Sequence, residues 1–343
     1  MIVVTGASGF LGKALIQHLN VRYRRDVHAG RKTPPHGWKH YAYDLPNHSI
    51  IWPDPWNPQA GSLYKMACSH NGVEGDENQI RGDLYDKVEK SKVVIHLAAV
   101  ADLNESEKDK DKNHRVNVEG TLNVARACAK FNKPLVFIST CCVYGTTSPG
   151  VPAQESDIPR PTEVYAESKL EAERELLDMA GKTCKFWKRN GLKLKICRMG
   201  TMYGPGMRPA LFNYMALESC ATGKTIEIHG NGMQSRCYLY IDDAVSGIVD
   251  VMENGLYGET YNLSGDEGIT LMRTLETASA LTGRVPQIKF VADRKGQIEF
   301  QRIAINKAML LGWVPAVSYD VGMMRTWDWM RPTVDPESAD FGL

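Results

Sequence analysis

The sequence predicts a doubly wound α/β fold, a parallel sheet covered by helices on both faces, with a smaller mixed α/β domain after it. Three observations predict it. Strand-like and helix-like runs alternate through the first 200 residues. The first strand, residues 1–4, runs into a glycine turn and then straight into a helical pattern. Residues 93–97 and 135–139 are short, continuously apolar runs, as strands buried on both faces must be.

Taken in order, residues 11–19 place Leu11, Leu15, Ile16 and Leu19 on one helical face. Residues 26–29 and 40–43 are weaker strand candidates. Residues 117–129 and 164–179 carry helical periodicity. Residues 192–196 alternate apolar residues with Lys, which predicts a strand nearer one edge. Between 45 and 81 the periodicity fails: four prolines and two tryptophans stand among polar residues, so 46–80 is an insertion, lid or loop. The run 105–112 alternates in sign and reads as a solvated surface. Past residue 200 the elements shorten between Gly and Pro, which suggests a dinucleotide-binding domain over 1–200 and a substrate domain over 201–343.

Composition narrows the class. The 343 residues carry 41 Lys and Arg against 40 Asp and Glu, a net charge of +1. That balance gives no global field for nucleic acid or an anionic membrane. No apolar run approaches the ~18–20 residues of a membrane span. None of the eight cysteines forms a Cys-x-x-Cys pair, so no metal site is expected. With a strand and glycine loop at the very N-terminus no secretory signal is expected, and the thiols read as reduced, in a cytoplasmic protein.

The loop Thr5-Gly6-Ala7-Ser8-Gly9-Phe10-Leu11-Gly12 sits between strand and helix. Glycines there let a pyrophosphate approach backbone amides at a helix N-terminus, where the dipole favours anions. Gly6, Ser8, Gly9, Phe10, Leu11 and Gly12 are therefore candidate cofactor contacts. The spacing Gly-x-x-Gly-x-x-Gly resembles the extended short-chain dehydrogenase/reductase superfamily, whose first domain is Rossmann-like. The resemblance implies a nicotinamide dinucleotide, NAD(P), and an acid on its ribose at the end of the second strand. That place falls on or beside Arg31, whose guanidinium suits a 2′-phosphate and favours NADP(H), unless Arg31 is a plain exposed loop residue. The resemblance also implies an Asp-Leu pair beside the adenine. Asp44-Leu45 is preferred to Asp83-Leu84, because 81–92 read as the tail of a helix. Leu97, Ala98 and Ala99 match the strand end that lines the cofactor pocket, with His96 a packed strand residue.

Tyr165 and Lys169 lie at i and i+4 on one helix face. A nearby ammonium favours the phenolate of a Tyr whose ordinary pKa is ~10, making a usable acid/base. Upstream, Phe137-Ile138-Ser139-Thr140-Cys141-Cys142-Val143-Tyr144-Gly145 resembles the active-site strand of the extended family. Aligned on Val143-Tyr144-Gly145, Thr140 is the hydroxyl that holds the reacting oxygen, with Ser139 the alternative. Nucleotide-sugar 4,6-dehydratases have an acidic pair at the next two positions, and this chain has Cys141-Cys142, which argues against that reaction. Cys142 matches the acid/base cysteine of GDP-fucose synthase and the 3,5-epimerases. Its usual partner is replaced by Arg208, after the turn Tyr203-Gly204-Pro205.

Residues 228–243 resemble the segment of nucleotide-sugar enzymes whose Arg grips the diphosphate, here Arg236, and Arg294 falls where a second phosphate- or ribose-binding Arg is found. The resemblance thus implies a nucleotide-diphosphate sugar as substrate and redox at a sugar carbon, most often C4. A 4-epimerase comes first. An NADPH-dependent 4-keto-sugar reductase is the alternative, and a non-catalytic dinucleotide-sensing scaffold the third reading. A homodimer through the helices at 117–129 and 165–179 is implied by the same resemblance.

Overall fold

The computed structural model describes residues 2–28, 40–43, 77–148, 150–181, 191–294 and 296–335. The chain divides into two compact units whose segments interleave. One comprises Met1–Val143, Glu163–Arg198 and Ile248–Tyr261, the other Tyr144–Thr162, Met199–Gly247 and Asn262–Leu343.

The first unit is built on a six-stranded sheet. Its strands are β1 (Ile2–Thr5), β2 (His40–Tyr43), β3 (Val93–His96), β4 (Leu135–Thr140), β5 (Leu194–Met199) and β9 (Glu259–Leu263), in the order β2-β1-β3-β4-β5-β9. β1 pairs in parallel with β2 and β3, and β3 with β4. The order reverses between β1 and β3, which places a switch-point crevice at their carboxyl ends. Helices Glu77–Lys90, Thr121–Lys130 and Val164–Met179 pack Leu84, Val88, Val124, Ala172 and Leu176 onto Val94, Leu135, Phe137, Leu194 and Ile196. At about 1.5–3 kcal/mol for each large side chain buried, this cluster is what holds helix Val164–Met179 to the sheet.

Two sequence expectations change. Residues 26–28 are not a strand: the helix Phe10–His28 runs through them, because no Gly or Pro stops it before Gly30. Its Arg22 pairs with Glu253 of the helix Ile241–Asn254 at 2.8 Å. The strand beside β1 is instead His40–Tyr43. As expected, β5 lies nearer one edge, second from the end of the sheet between β4 and β9, yet it is buried throughout. Lys195 fits there because its stem is buried while Nζ donates to the carbonyls of Val251 and Met252 at 3.1 and 2.7 Å, near the end of helix Ile241–Asn254. Finally, the helical pattern from 117 opens as a π-helical turn, Arg115–Gly120, before the α-helix Thr121–Lys130. The charged run at 105–112 lies mostly exposed on two short helices, Leu103–Lys108 and Lys110–His114.

The second unit has mixed strands. β6 (Thr201–Tyr203) and β10 (Gly268–Thr270) flank β8 (Ser235–Tyr240), parallel and antiparallel respectively, and β7 (Ile226–His229) pairs with β11 (Ile288–Val291). Among the described residues no helix is long and apolar enough to cross a membrane.

Candidate active site

At the carboxyl end of β1, Gly6 has φ +72°, and a Cβ on it would stand 2.7 Å from the amide nitrogen of Ala98. A Cβ on Gly12 would strike the carbonyl oxygen of Gly6. Both glycines are thus required by close backbone approach, the first against the loop leaving β3 and the second where the helix meets the turn. Leu97 N donates to Thr5 O at 3.2 Å, so the two loops leave the sheet tied together.

Tyr165 and Lys169 stand on the first turns of helix Val164–Met179, which packs against β4. Tyr165 is half-buried, whereas Lys169 is 1% exposed, with Nζ 4.1 Å from the centre of the Phe137 ring. Burial pulls the Lys169 ammonium down to about 7, and the Glu173 carboxylate one turn on opposes that pull. Glu173 is itself buried and held by Arg198, whose Nε donates to Oε1 at 3.1 Å and Nη2 to Oε2 at 2.6 Å. At the end of β4, Thr140 Oγ1 accepts the Cys142 amide at 3.1 Å, which occupies a lone pair and leaves its O–H as a donor. Ser139 Oγ is buried with no hydrogen-bond partner among the described residues. Cys141 Sγ, also buried, donates to Arg198 O at 3.3 Å, while Cys142 is half-buried.

A glycine cradle at a helix N-terminus, followed on the same unit by a Tyr and a buried Lys against the next strand, is the arrangement that a family comparison decides. The family model for NAD-dependent epimerases/dehydratases matches residues 2–264. The chain belongs to that family. It is 30% identical over 245 residues to a UDP-glucuronate 4-epimerase of Thermodesulfobacterium geofontis, covering 71% of this chain and 73% of that protein. It is 31% identical over 246 residues to a dTDP-glucose 4,6-dehydratase of Streptomyces griseus, covering 69% and 70%. Among solved structures it is similar to MoeE5 in complex with UDP-glucuronic acid and NAD, with TM-score 0.76, 26% identity and 97% and 99% of the two chains covered.

The diphosphate of a dinucleotide suits this turn, because the close backbone packing that Gly6 and Gly12 permit leads the chain from β1 directly into the N-terminus of helix Phe10–His28, where amides and dipole favour an anion. Ser8, Gly9, Phe10 and Leu11 complete that turn, with Gly9 N donating to Gly6 O at 3.2 Å. Leu97, Ala98 and Ala99 form the facing loop. Arg31, Asp44 and Leu45, expected at the ribose and adenine, lie outside the described residues.

Of the substrate candidates, Arg236 is on β8 and its Nη1 donates to Ser235 O and Ile298 O at 2.9 and 2.7 Å, which orients the guanidinium. Arg294 is exposed, with its carbonyl accepting Gln297 N at 3.3 Å; Arg208 is exposed in the turn after β6. These three belong to the second unit.

Sequence reasoning missed Asn117. From the π-turn its Oδ1 accepts Val100 N at 2.8 Å, and its Nδ2 donates to Val100 O at 3.1 Å and to Ser168 Oγ at 3.0 Å. Ser168 Oγ in turn donates to Tyr165 O at 2.8 Å. Asn117 therefore joins the loop after β3 to the helix of Tyr165 and Lys169. A buried Asn flanked by Val116 and Val118 was the available signal, hidden by a helical pattern that any apolar face would give.

Proposed function

We propose that this protein is a nicotinamide-dependent nucleotide-diphosphate-sugar 4-epimerase. The observation that carries the choice is the end of β4. Thr140 keeps a donor O–H, while the two positions after it hold thiols and not the carboxylic acids that a dehydratase needs to eliminate water. Cys141 is moreover committed to the Arg198 carbonyl.

Tyr165 takes the proton from the sugar C4 hydroxyl and later returns it to the ketone oxygen. Thr140 O–H donates to that oxygen, and Lys169 in its ammonium form lowers the cost of the Tyr165 phenolate. A nicotinamide dinucleotide held at the glycine turn would supply a reversible hydride acceptor for C4. Arg236 holds the diphosphate and Arg294 supports it, so that the sugar ring alone turns between the two hydride transfers. The UDP-glucuronate 4-epimerase relative, and MoeE5, which is seen with UDP-glucuronic acid and also with UDP-glucose, support these two UDP-sugars as the first substrates to try.

For the cofactor we prefer NAD to NADP. The strand paired with β1 is His40–Tyr43, and the residue that follows it in sequence is the acid Asp44. A carboxylate there would bind the ribose hydroxyls and repel a 2′-phosphate. The dimer expected from the resemblance would bring together helix faces that expose Glu119, Arg126, Glu171 and Arg174, hence a polar interface.

The test is to incubate the purified protein with UDP-glucose and with UDP-glucuronic acid and follow C4 inversion by proton NMR, with NAD+ and NADP+ added separately. Formation of the C4 epimer at a catalytic rate with NAD+ supports the reading. A 4-keto-6-deoxy product would overturn it in favour of the dehydratase. The 4-keto-sugar reductase keeps one supporting observation, the half-buried Cys142, and net NADPH consumption with a 4-keto-sugar would establish it.

A further inference from the structure

His96 takes no part in the chemistry above, yet it is 1% exposed at the carboxyl end of β3, opposite Thr5 in the β1–β3 register. Its Nδ1 is 2.6 Å from Thr5 Oγ1 and its Nε2 is 2.9 Å from Thr121 Oγ1. The direction of each bond can be worked out from the ends. Thr121 Oγ1 is 2.7 Å from the carbonyl of Asn117, which can only accept, so the Thr121 proton goes there. Thr121 must then accept from His96, which puts the imidazole proton on Nε2. Nδ1 is left as an acceptor for the Thr5 hydroxyl, and Thr5 Oγ1 accepts the Ala98 amide at 3.4 Å.

A single directed chain results: Ala98 N–H to Thr5, Thr5 O–H to His96 Nδ1, His96 Nε2–H to Thr121, and Thr121 O–H to Asn117 C=O. It starts in the loop that abuts Gly6 and ends in the π-turn whose Asn117 side chain holds Val100 and Ser168. The other neighbours of the ring are Phe137 of β4, stacked with centroids 5.9 Å apart, and the Lys169 charge. Burial and that cation hold the imidazole down at about 3, so it stays neutral throughout the working range.

We propose that His96 is a positioning residue, locked as its Nε2–H tautomer, that couples the geometry of the dinucleotide cradle to the π-turn supporting the helix of Tyr165 and Lys169. This rests on the proposed epimerase only where turnover is the readout. Its two arms make separable predictions. Asn places an amide oxygen about where Nδ1 stands, and Gln an amide nitrogen about where Nε2 stands.

The experiment compares H96L, H96N and H96Q with the wild type in three readouts: Kd for NAD+, kcat for the epimerised UDP-sugar, and the imidazole tautomer by 15N NMR of selectively histidine-labelled wild-type protein. H96L should weaken NAD+ and slow turnover, each by about tenfold or more. H96N should recover NAD+ affinity more than kcat, and H96Q kcat more than affinity. The resonance missing in H96N should report a bare Nδ1 and a protonated Nε2, with no titration between about pH 5 and 9. The proposal is overturned if H96L stays within about twofold on both measures, or if all three variants change affinity and kcat in one ratio that follows Tm. An Nδ1–H tautomer, or a ring that titrates in that range, overturns it as well. If the wild type inverts no UDP-sugar, the functional reading fails alone, since NAD+ affinity and the tautomer are still measured on folded protein.

Discussion

Lys169 Nζ lies 4.1 Å from the centre of the Phe137 ring, buried between helix Val164–Met179 and β4, with Glu173 one turn further along. A π face and a neighbouring carboxylate compensate only part of the water that the ammonium has lost, so its proton is held far more weakly than a surface lysine's. In the folded protein it leaves near pH 7, against 10.5 in the unfolded chain. For a base with a lowered folded pKa the unfolded state binds more protons between those values, so stability rises with pH across that window. Below it the penalty is present in full.

Lys169→Met removes that penalty and leaves Glu173 paired with Arg198. The Tm of the cofactor-free variant should exceed the wild type's at pH 6, and the difference should shrink as pH climbs from 7 towards 10. Differential scanning fluorimetry over pH 6–10 checks this. A constant offset would mean that Lys169 is stabilised in its charged form by something other than these neighbours.

Tyr165→Phe keeps the helix and removes only the phenol. Turnover should fall by about 10²–10⁴-fold while Kd for NAD+ changes little. An unaffected rate would discard Tyr165 as the acid/base.

Arg198→Met would strand the Glu173 carboxylate in the core with Lys169 as the nearest cation. Breaking such a pair from one side costs about 3–5 kcal/mol. The expected result is a large drop in Tm, together with a basic shift in the pH at which Lys169 titrates. Retention of wild-type Tm would show that Glu173 takes up a proton instead.

Cys142→Ala separates the two enzymatic readings. In an epimerase the residue only packs, and kcat/KM should stay within about twofold. In a reductase of the GDP-fucose-synthase type it moves a proton, and Cys142→Ala should cost about 10²-fold or more.

Arg236→Met should raise KM for the UDP-sugar by about 10–100-fold with kcat little changed, since a diphosphate grip acts equally on ground and transition states. Arg236→Lys should not restore it, because an ammonium cannot keep both the carbonyls of Ser235 and Ile298 and a bidentate hold on phosphate.

The sequence by itself determined whatever depends on local backbone demand or on spacing along one element. The glycine loop was legible because only Gly tolerates the positive φ and close approach at Gly6, and Tyr165 with Lys169 because four residues make a helical turn. The buried strands at 93 and 135 could be read from their unbroken apolar runs. Tertiary structure decided what depends on which element lies next to which. That β5 is buried throughout despite its Lys195 depends on the end of helix Ile241–Asn254, whose carbonyls take the ammonium. Asp26-Val27-His28 was strand-like by itself, and the uninterrupted helix before it prevailed. The tautomer of His96 and the grip of Asn117 on Val100 and Ser168 are set by partners 17 to 91 residues away in the chain, and the charge state of Lys169 by its burial, none of which a local pattern encodes. Desolvation and hydrogen-bond direction are properties of a packed neighbourhood, and the neighbourhood exists only once the strands have closed into a sheet.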